Sequence, residues 1–138
     1  MASPSVQNRP ALGTMVRRGL LRRCPWCGDR HAYFTRWFSK QRACRSCGTP
    51  WRRGDVGFEL GAATVNTIIT FGVIIVAGAV AMIATSPDIP TVRIVVGLVI
   101  TAVVVPVLIY PITYTLWQAL DLAMRPPEPG DLASPPVL

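Results

Sequence analysis

Two uncharged apolar stretches and a pair of C-x-x-C-G sequences in a basic N-terminal third predict the fold class. It is a membrane α-helical hairpin of two transmembrane helices with a small, metal-built ribbon and short β-hairpin at the N-terminal end. Residues 60–87 are 28 positions without a charge, and residues 94–120 are another 27. Each run exceeds the roughly 20 apolar residues that cross a hydrocarbon core of about 30 Å. All four cysteines lie in Cys24-Pro25-Trp26-Cys27-Gly28 and Cys44-Arg45-Ser46-Cys47-Gly48, with sixteen residues between the pairs. That spacing points two thiolates from each pair at one ion.

The first ten residues (MASPSVQNRP) are polar, lack an apolar core and carry no leader or span; disorder is expected there. Residues 11–23 place Leu12, Met15, Val16 and Leu20 at spacings of three and four, interleaved with Arg17, Arg18 and Arg22. This basic amphipathic segment reads either as a helix on anionic headgroups or as a solvated lead-in, and Gly19 weakens any helix.

Residues 24–57 hold the ribbon and a juxtamembrane linker. Glycine after each second cysteine takes positive φ at little cost, which frees backbone amides to bond the sulfurs. The intervening aromatics, Tyr33, Phe34, Trp37 and Phe38, suit a short hairpin. So little chain cannot bury a sufficient core, and a metal is expected to build it. Cys24, Cys27, Cys44 and Cys47 fill all four positions of a tetrahedral structural zinc site, leaving none for a catalytic water. Iron in the same cage would instead make a one-electron carrier. His31, the single histidine, reads as a surface residue beside a complete ligand set.

The first membrane helix is expected over residues 58–85, an extracytoplasmic loop with Pro87 and Pro90 over 86–93, the second helix over 94–120 and a tail over 121–138. Residues 1–57 carry 12 basic against two acidic side chains, and the rest carry two against five. The bias places the head and both termini in the cytoplasm, where thiols stay reduced. No Asp, Glu, Lys, Arg or His lies inside either run, which disfavours a proton relay or ion path built by this chain alone. Asn66, with Thr64, Thr67 and Thr70, offers a hydrogen-bonding face to a partner helix. Pro106 and Pro111 each remove a helical donor, and Tyr110, Tyr114 and Trp117 mark an aromatic belt at the interface.

Arg22, Arg23, Trp26, Arg30, Trp37 and Arg45 on the head, with Asp55 at the entry to the first helix and Asn66 within it, form the expected surface for a partner or for lipid. Asp55 and Glu59 are placed to receive arginines from the head. The arginines and aromatics also fit phosphates and bases, so a nucleic-acid module stays open beside an anionic-lipid one. Two spans bury little surface alone, and a membrane-protein partner or self-association is expected. No small-molecule substrate and no catalytic residue is expected.

Arg18-Gly19-Leu20, Cys24-Pro25-x-Cys27-Gly28, Tyr33-Phe34, Cys44-x-x-Cys47-Gly48, Gly54-Asp55 and the closing Thr115-Leu116-Trp117-Gln118-Ala119-Leu120-Asp121-Leu122 together resemble small bacterial membrane proteins catalogued as domain of unknown function 983, in their actinobacterial branch. The resemblance covers about residues 16–126 and departs at Arg45 and Ser46 of the second knuckle. It implies a zinc ribbon ahead of two membrane helices in the bacterial inner membrane. It also implies an association with haem-copper oxidase assembly, and it carries no established activity.

Overall fold

A computed structural model describes residues 9–50 and 57–127. Residues 1–8 of the expected disordered N-terminus, Gly54-Asp55 with Arg52 and Arg53, and residues 128–138 of the tail lie outside the described residues. Three helices follow in order: α1 (Leu12–Leu20), α2 (Phe58–Thr85) and α3 (Thr91–Met124). The knuckles lie between α1 and α2.

At 1.5 Å per residue, α2 is about 42 Å long and α3 about 51 Å, both beyond a 30 Å hydrocarbon core. Both are apolar enough to cross a membrane. Their threonines return hydroxyls to the preceding turn, as in Thr67 Oγ1 to Ala63 O at 2.9 Å and Thr101 Oγ1 to Gly97 O at 2.8 Å. A hydroxyl bonded within its own helix leaves no unpaired donor in an apolar surrounding. Pro87 and Pro90 separate the helices, and α3 starts at Thr91, so Arg93 lies in its first turn.

The helices pack through specific small and polar residues. A Cβ on Gly61 would lie 2.1 Å from the Trp117 ring, and one on Gly78 would touch Leu98. Asn66 Nδ2 donates to Pro106 O at 3.0 Å, and its Oδ1 accepts from Thr70 Oγ1 at 3.3 Å. The expected partner helix for Asn66 is therefore α3 of the same chain. α3 runs through both internal prolines without a break. Pro111 has no N–H to give Val107 O four residues earlier, and the Trp37 indole supplies one at 2.9 Å.

α1 lies against α3 rather than free on a surface. Met15 and Gly19 are buried. A Cβ at Gly19 would lie 2.9 Å from Thr115 O and 3.2 Å from Ala119 Cβ, and Thr115 Oγ1 donates to Gly19 O at 2.6 Å. The glycine that weakens the helix is what lets it approach. The helix closes with Arg22 N–H on Gly19 O and Arg23 N–H on Arg18 O. Arg22 takes the left-handed position, φ 58°, that glycine usually fills in this ending.

The expected short β-hairpin is reduced to single bridges, Phe34 with Lys40 and Ala43 with Pro50. Gln41 N–H to Tyr33 O and Thr35 N–H to Ser39 O close it. No strand longer than a bridge forms among the described residues.

Candidate metal centre and the docked head

Each knuckle is a tight turn set by its glycine. Gly28 (φ 85°) bonds back to Cys24 O at 2.8 Å, and Gly48 (φ 71°) to Cys44 O at 2.9 Å. The turns aim the side chains inward, so that the four Sγ atoms lie within 4.8 Å of one another. Cys24–Cys47 and Cys27–Cys44 are each 3.7 Å apart, and all four cysteines are free. A tetrahedron with metal–sulfur bonds of about 2.3 Å has edges of about 3.8 Å. The observed spacing is that of one shared ion, and the four sulfurs can hold it.

Sharing among the sulfurs, with burial, pushes the Cys24 thiol far up, whereas hydrogen bonding from Cys24 and the others pulls Cys47 far down. Cys27 is also pulled down, by Cys24 first. Four thiolates at this spacing would require a cation among them. Neighbours hold the sulfurs in place: amides of Asp29 and Cys47 bond Cys27 and Cys44, and Thr49 Oγ1 lies 3.1 Å from Cys47 Sγ. Tyr33 Oη donates to Cys24 Sγ at 3.9 Å. Burial, first of all, keeps that phenol protonated well above its ordinary range. Ser46 donates to Asp29, whose other oxygen accepts from His31 N–H at 3.2 Å. These bonds, Ser46 first, hold the Asp29 carboxyl below the usual range and tie one knuckle to the other.

The head sits on the hairpin. Phe34 meets Tyr110 and Tyr114 at 6.4 and 5.8 Å, Phe38 meets Tyr110 at 5.5 Å, and Phe58 meets Tyr114 at 5.3 Å. Tyr110 and Tyr114, expected as an aromatic belt at the interface, also form the seat of the head. Lys40 Nζ reaches both oxygens of Glu59 at 3.0 and 3.1 Å and lies 4.1 Å over the Tyr114 ring. A lysine is thus one cation on Glu59. Asp55 falls outside the described residues.

The expected surface residues are brought together only in part. Arg22 stacks over Trp37 at 5.0 Å and over Phe34 at 5.9 Å, beside Arg23 and the exposed Arg30. Arg45 lies apart on the second knuckle and bonds Gln41. Trp26, expected on the surface, is buried in the core with Met15, Tyr33, Cys24, Cys44 and Cys47. Four residues outside the expected site take part. Arg18 clamps the first knuckle through Trp26 O at 2.8 Å and Pro25 O at 3.2 Å; the others are Tyr33, Thr49 and Lys40. Lys40 had a readable signal, being the single lysine in an arginine-rich head.

A family model described as protein of unknown function (DUF983) matches residues 34–121, well over half of the chain. The chain belongs to this family. No curated protein and no solved structure matches it. The DUF983 match takes in the second knuckle, the docking rings and both long helices. The first knuckle and α1 precede it, so half of the cage lies ahead of the matched region.

Proposed function

We propose that this DUF983 protein is a non-enzymatic accessory or assembly protein of the bacterial inner membrane, built on a structural zinc ribbon. Its head and both termini face the cytoplasm, and its partner is another membrane protein or a second copy, with a respiratory haem-copper oxidase complex as the candidate setting. The observation that carries the reading is the fixed attitude of the head. A closed four-sulfur cage is joined to the hairpin by Lys40–Glu59, Trp37–Val107 and the Phe34–Tyr114 layer. Four thiolates complete a tetrahedral shell, so the ion stabilises a platform. The platform holds arginines at one end of two helices whose apolar side chains stay largely uncovered.

Crosslinking in native membranes, followed by mass spectrometry of gently solubilised protein, tests the proposal. A reproducible membrane-protein partner or self-adduct through the head or the spans is the expected result. A monodisperse monomer with nothing attached sinks it.

The docked rings weigh against a nucleic-acid module. Tyr33 is buried and Phe34 packs on tyrosines, so fewer faces remain for base stacking. A rubredoxin-like iron carrier uses the same cage. Metal analysis with a visible spectrum separates the two: one zinc per colourless chain supports the structural reading, and a coloured iron protein replaces it.

A further inference from the structure

We infer that the groove formed by Arg22, Arg23, Arg30 and His31 binds the phosphate of an anionic phospholipid in the leaflet on the head's side. The inference deepens the proposed function and rests on the hairpin crossing a bilayer, but not on the head having a protein partner.

Depth along α3 carries the argument. Asp88 and Arg93 are the charges between the two apolar runs, so in a bilayer the far end belongs at the opposite surface. Counting about 20 residues, or 30 Å, from Thr91 or Ile94 puts the near boundary of the hydrocarbon at about Tyr110 to Thr113. The head touches α3 at that level: Trp37 bonds Val107 O, and Phe34 and Phe38 pack on Tyr110. Trp37 is 41% exposed and Phe38 61%, and Leu20 and Leu21 at the end of α1 are half exposed. Apolar and aromatic groups left uncovered at a bilayer boundary are suited to the interfacial layer.

The cations lie beside these rings. A groove of about 450 Å³ is lined by Leu21, Arg22, Arg23, Arg30, His31 and Phe34. The left-handed backbone at Arg22 turns its guanidinium onto Trp37 and Phe34, which fixes the charge against the interfacial rings. The nearest acid in sequence, Asp29, is engaged by Ser46 and by His31 N–H. Three guanidiniums with an apolar floor match a phosphate whose acyl chains continue downward past Trp37 and Phe38. Nucleic acid would supply the phosphate without the chains.

The test uses the full chain reconstituted in phosphatidylcholine vesicles, with spin-labelled phosphatidylglycerol and phosphatidylcholine as probes. The phosphatidylglycerol label is expected to be preferentially immobilised. Arg23→Gln with Arg30→Gln, which leaves Arg22 and its ring stack in place, should lower that preference at least about fivefold. The charge-matched Arg42→Gln with Arg45→Gln on the second knuckle should leave it within a factor of two. Equal immobilisation of both lipids overturns the inference. So does an equal loss in both variants, which marks a diffuse field, or loss of the preference on adding millimolar inorganic phosphate, which marks a free-anion site. Failure of the protein to insert in the vesicles overturns the membrane reading along with it, whereas insertion without selectivity overturns this inference alone.

Discussion

The two lengths of α3 differ more than any two elements of the molecule. Residues 91–110 contain no buried position, whereas Pro111, Thr113, Tyr114, Thr115, Gln118, Ala119 and Leu122 are all buried within the next twelve. The first length leaves most of its side chains uncovered and meets the rest of the chain at a few points, Leu98, the Pro106 and Val107 carbonyls and Tyr110. The second is read by α1, the knuckles and the start of α2, so individual atoms matter there. One continuous helix thus serves as membrane span and then as the spine of a small four-cysteine domain.

Removing the ion is expected to separate the two lengths most completely. Cys44→Ser should abolish metal binding, and apparent binding energies of structural zinc, about 10–16 kcal/mol, exceed what so small a head can replace. Limited proteolysis should then cut within residues 24–50 while the hairpin stays in the membrane fraction. A protected head with no bound metal would show that docking on α3, rather than the cage, builds it.

Glycine substitutions sharpen the contrast within α2. Gly61→Ala places a methyl into the Trp117 ring and should cost about 1–3 kcal/mol. Gly72→Ala meets nothing within 4 Å and should be neutral or stabilising by up to about 1 kcal/mol. Thermal unfolding in detergent, followed by tryptophan fluorescence, measures both. Equal effects at the two positions would remove the distinction between docked and lipid-facing length.

The same distinction explains what the sequence made legible. Long uncharged runs and the C-x-x-C-G pairs are local patterns, so the hairpin and the cysteine cluster can be read directly. The uses of Gly19, Asn66, Tyr114 and Trp26 depend on which surface faces which. Gly19 reads locally as a weak helix position and serves as a close-approach point on Thr115 and Ala119. Asn66 reads as a face for a partner helix, and which helix that is appears only in its bond to Pro106 O across the hairpin. Nothing in periodicity says that a head folds back over α3, and without that fact Tyr114 is an interface anchor and Trp26 a surface ring.

Trp37 tests where the two lengths meet. Trp37→Phe keeps an aromatic ring but removes the donor to Val107 O, the carbonyl that Pro111 leaves without its helical N–H. At a partly exposed site this should cost about 1 kcal/mol. Restoring the helical donor with Pro111→Ala should recover most of the loss, read as the coupling in a double-mutant cycle. Independent effects would mean that the indole proton is not what satisfies this carbonyl.

A further expected effect of similar size changes with pH. Burial disfavours charge on Lys40, but its bonds to Tyr110 and Glu59 outweigh that, and its pKa is raised above the ordinary 10.5. A raised folded-state value means that the contact's stabilisation is fully present below about pH 10.5 and is lost as pH rises through the folded value. Both partners are partly exposed, which limits the ion pair to about 1 kcal/mol, with the Tyr114 ring contributing a similar amount. Lys40→Met should therefore weaken docking of the head at neutral pH by about 1–2 kcal/mol, leave the bound metal unchanged, and flatten the alkaline loss of stability seen in the wild type. Glu59→Gln should remove the ion pair and leave the cation–π contact in place, giving an intermediate value. If Lys40→Met and Glu59→Gln instead match the wild type across the alkaline range, the rings and the Trp37 bond hold the head by themselves.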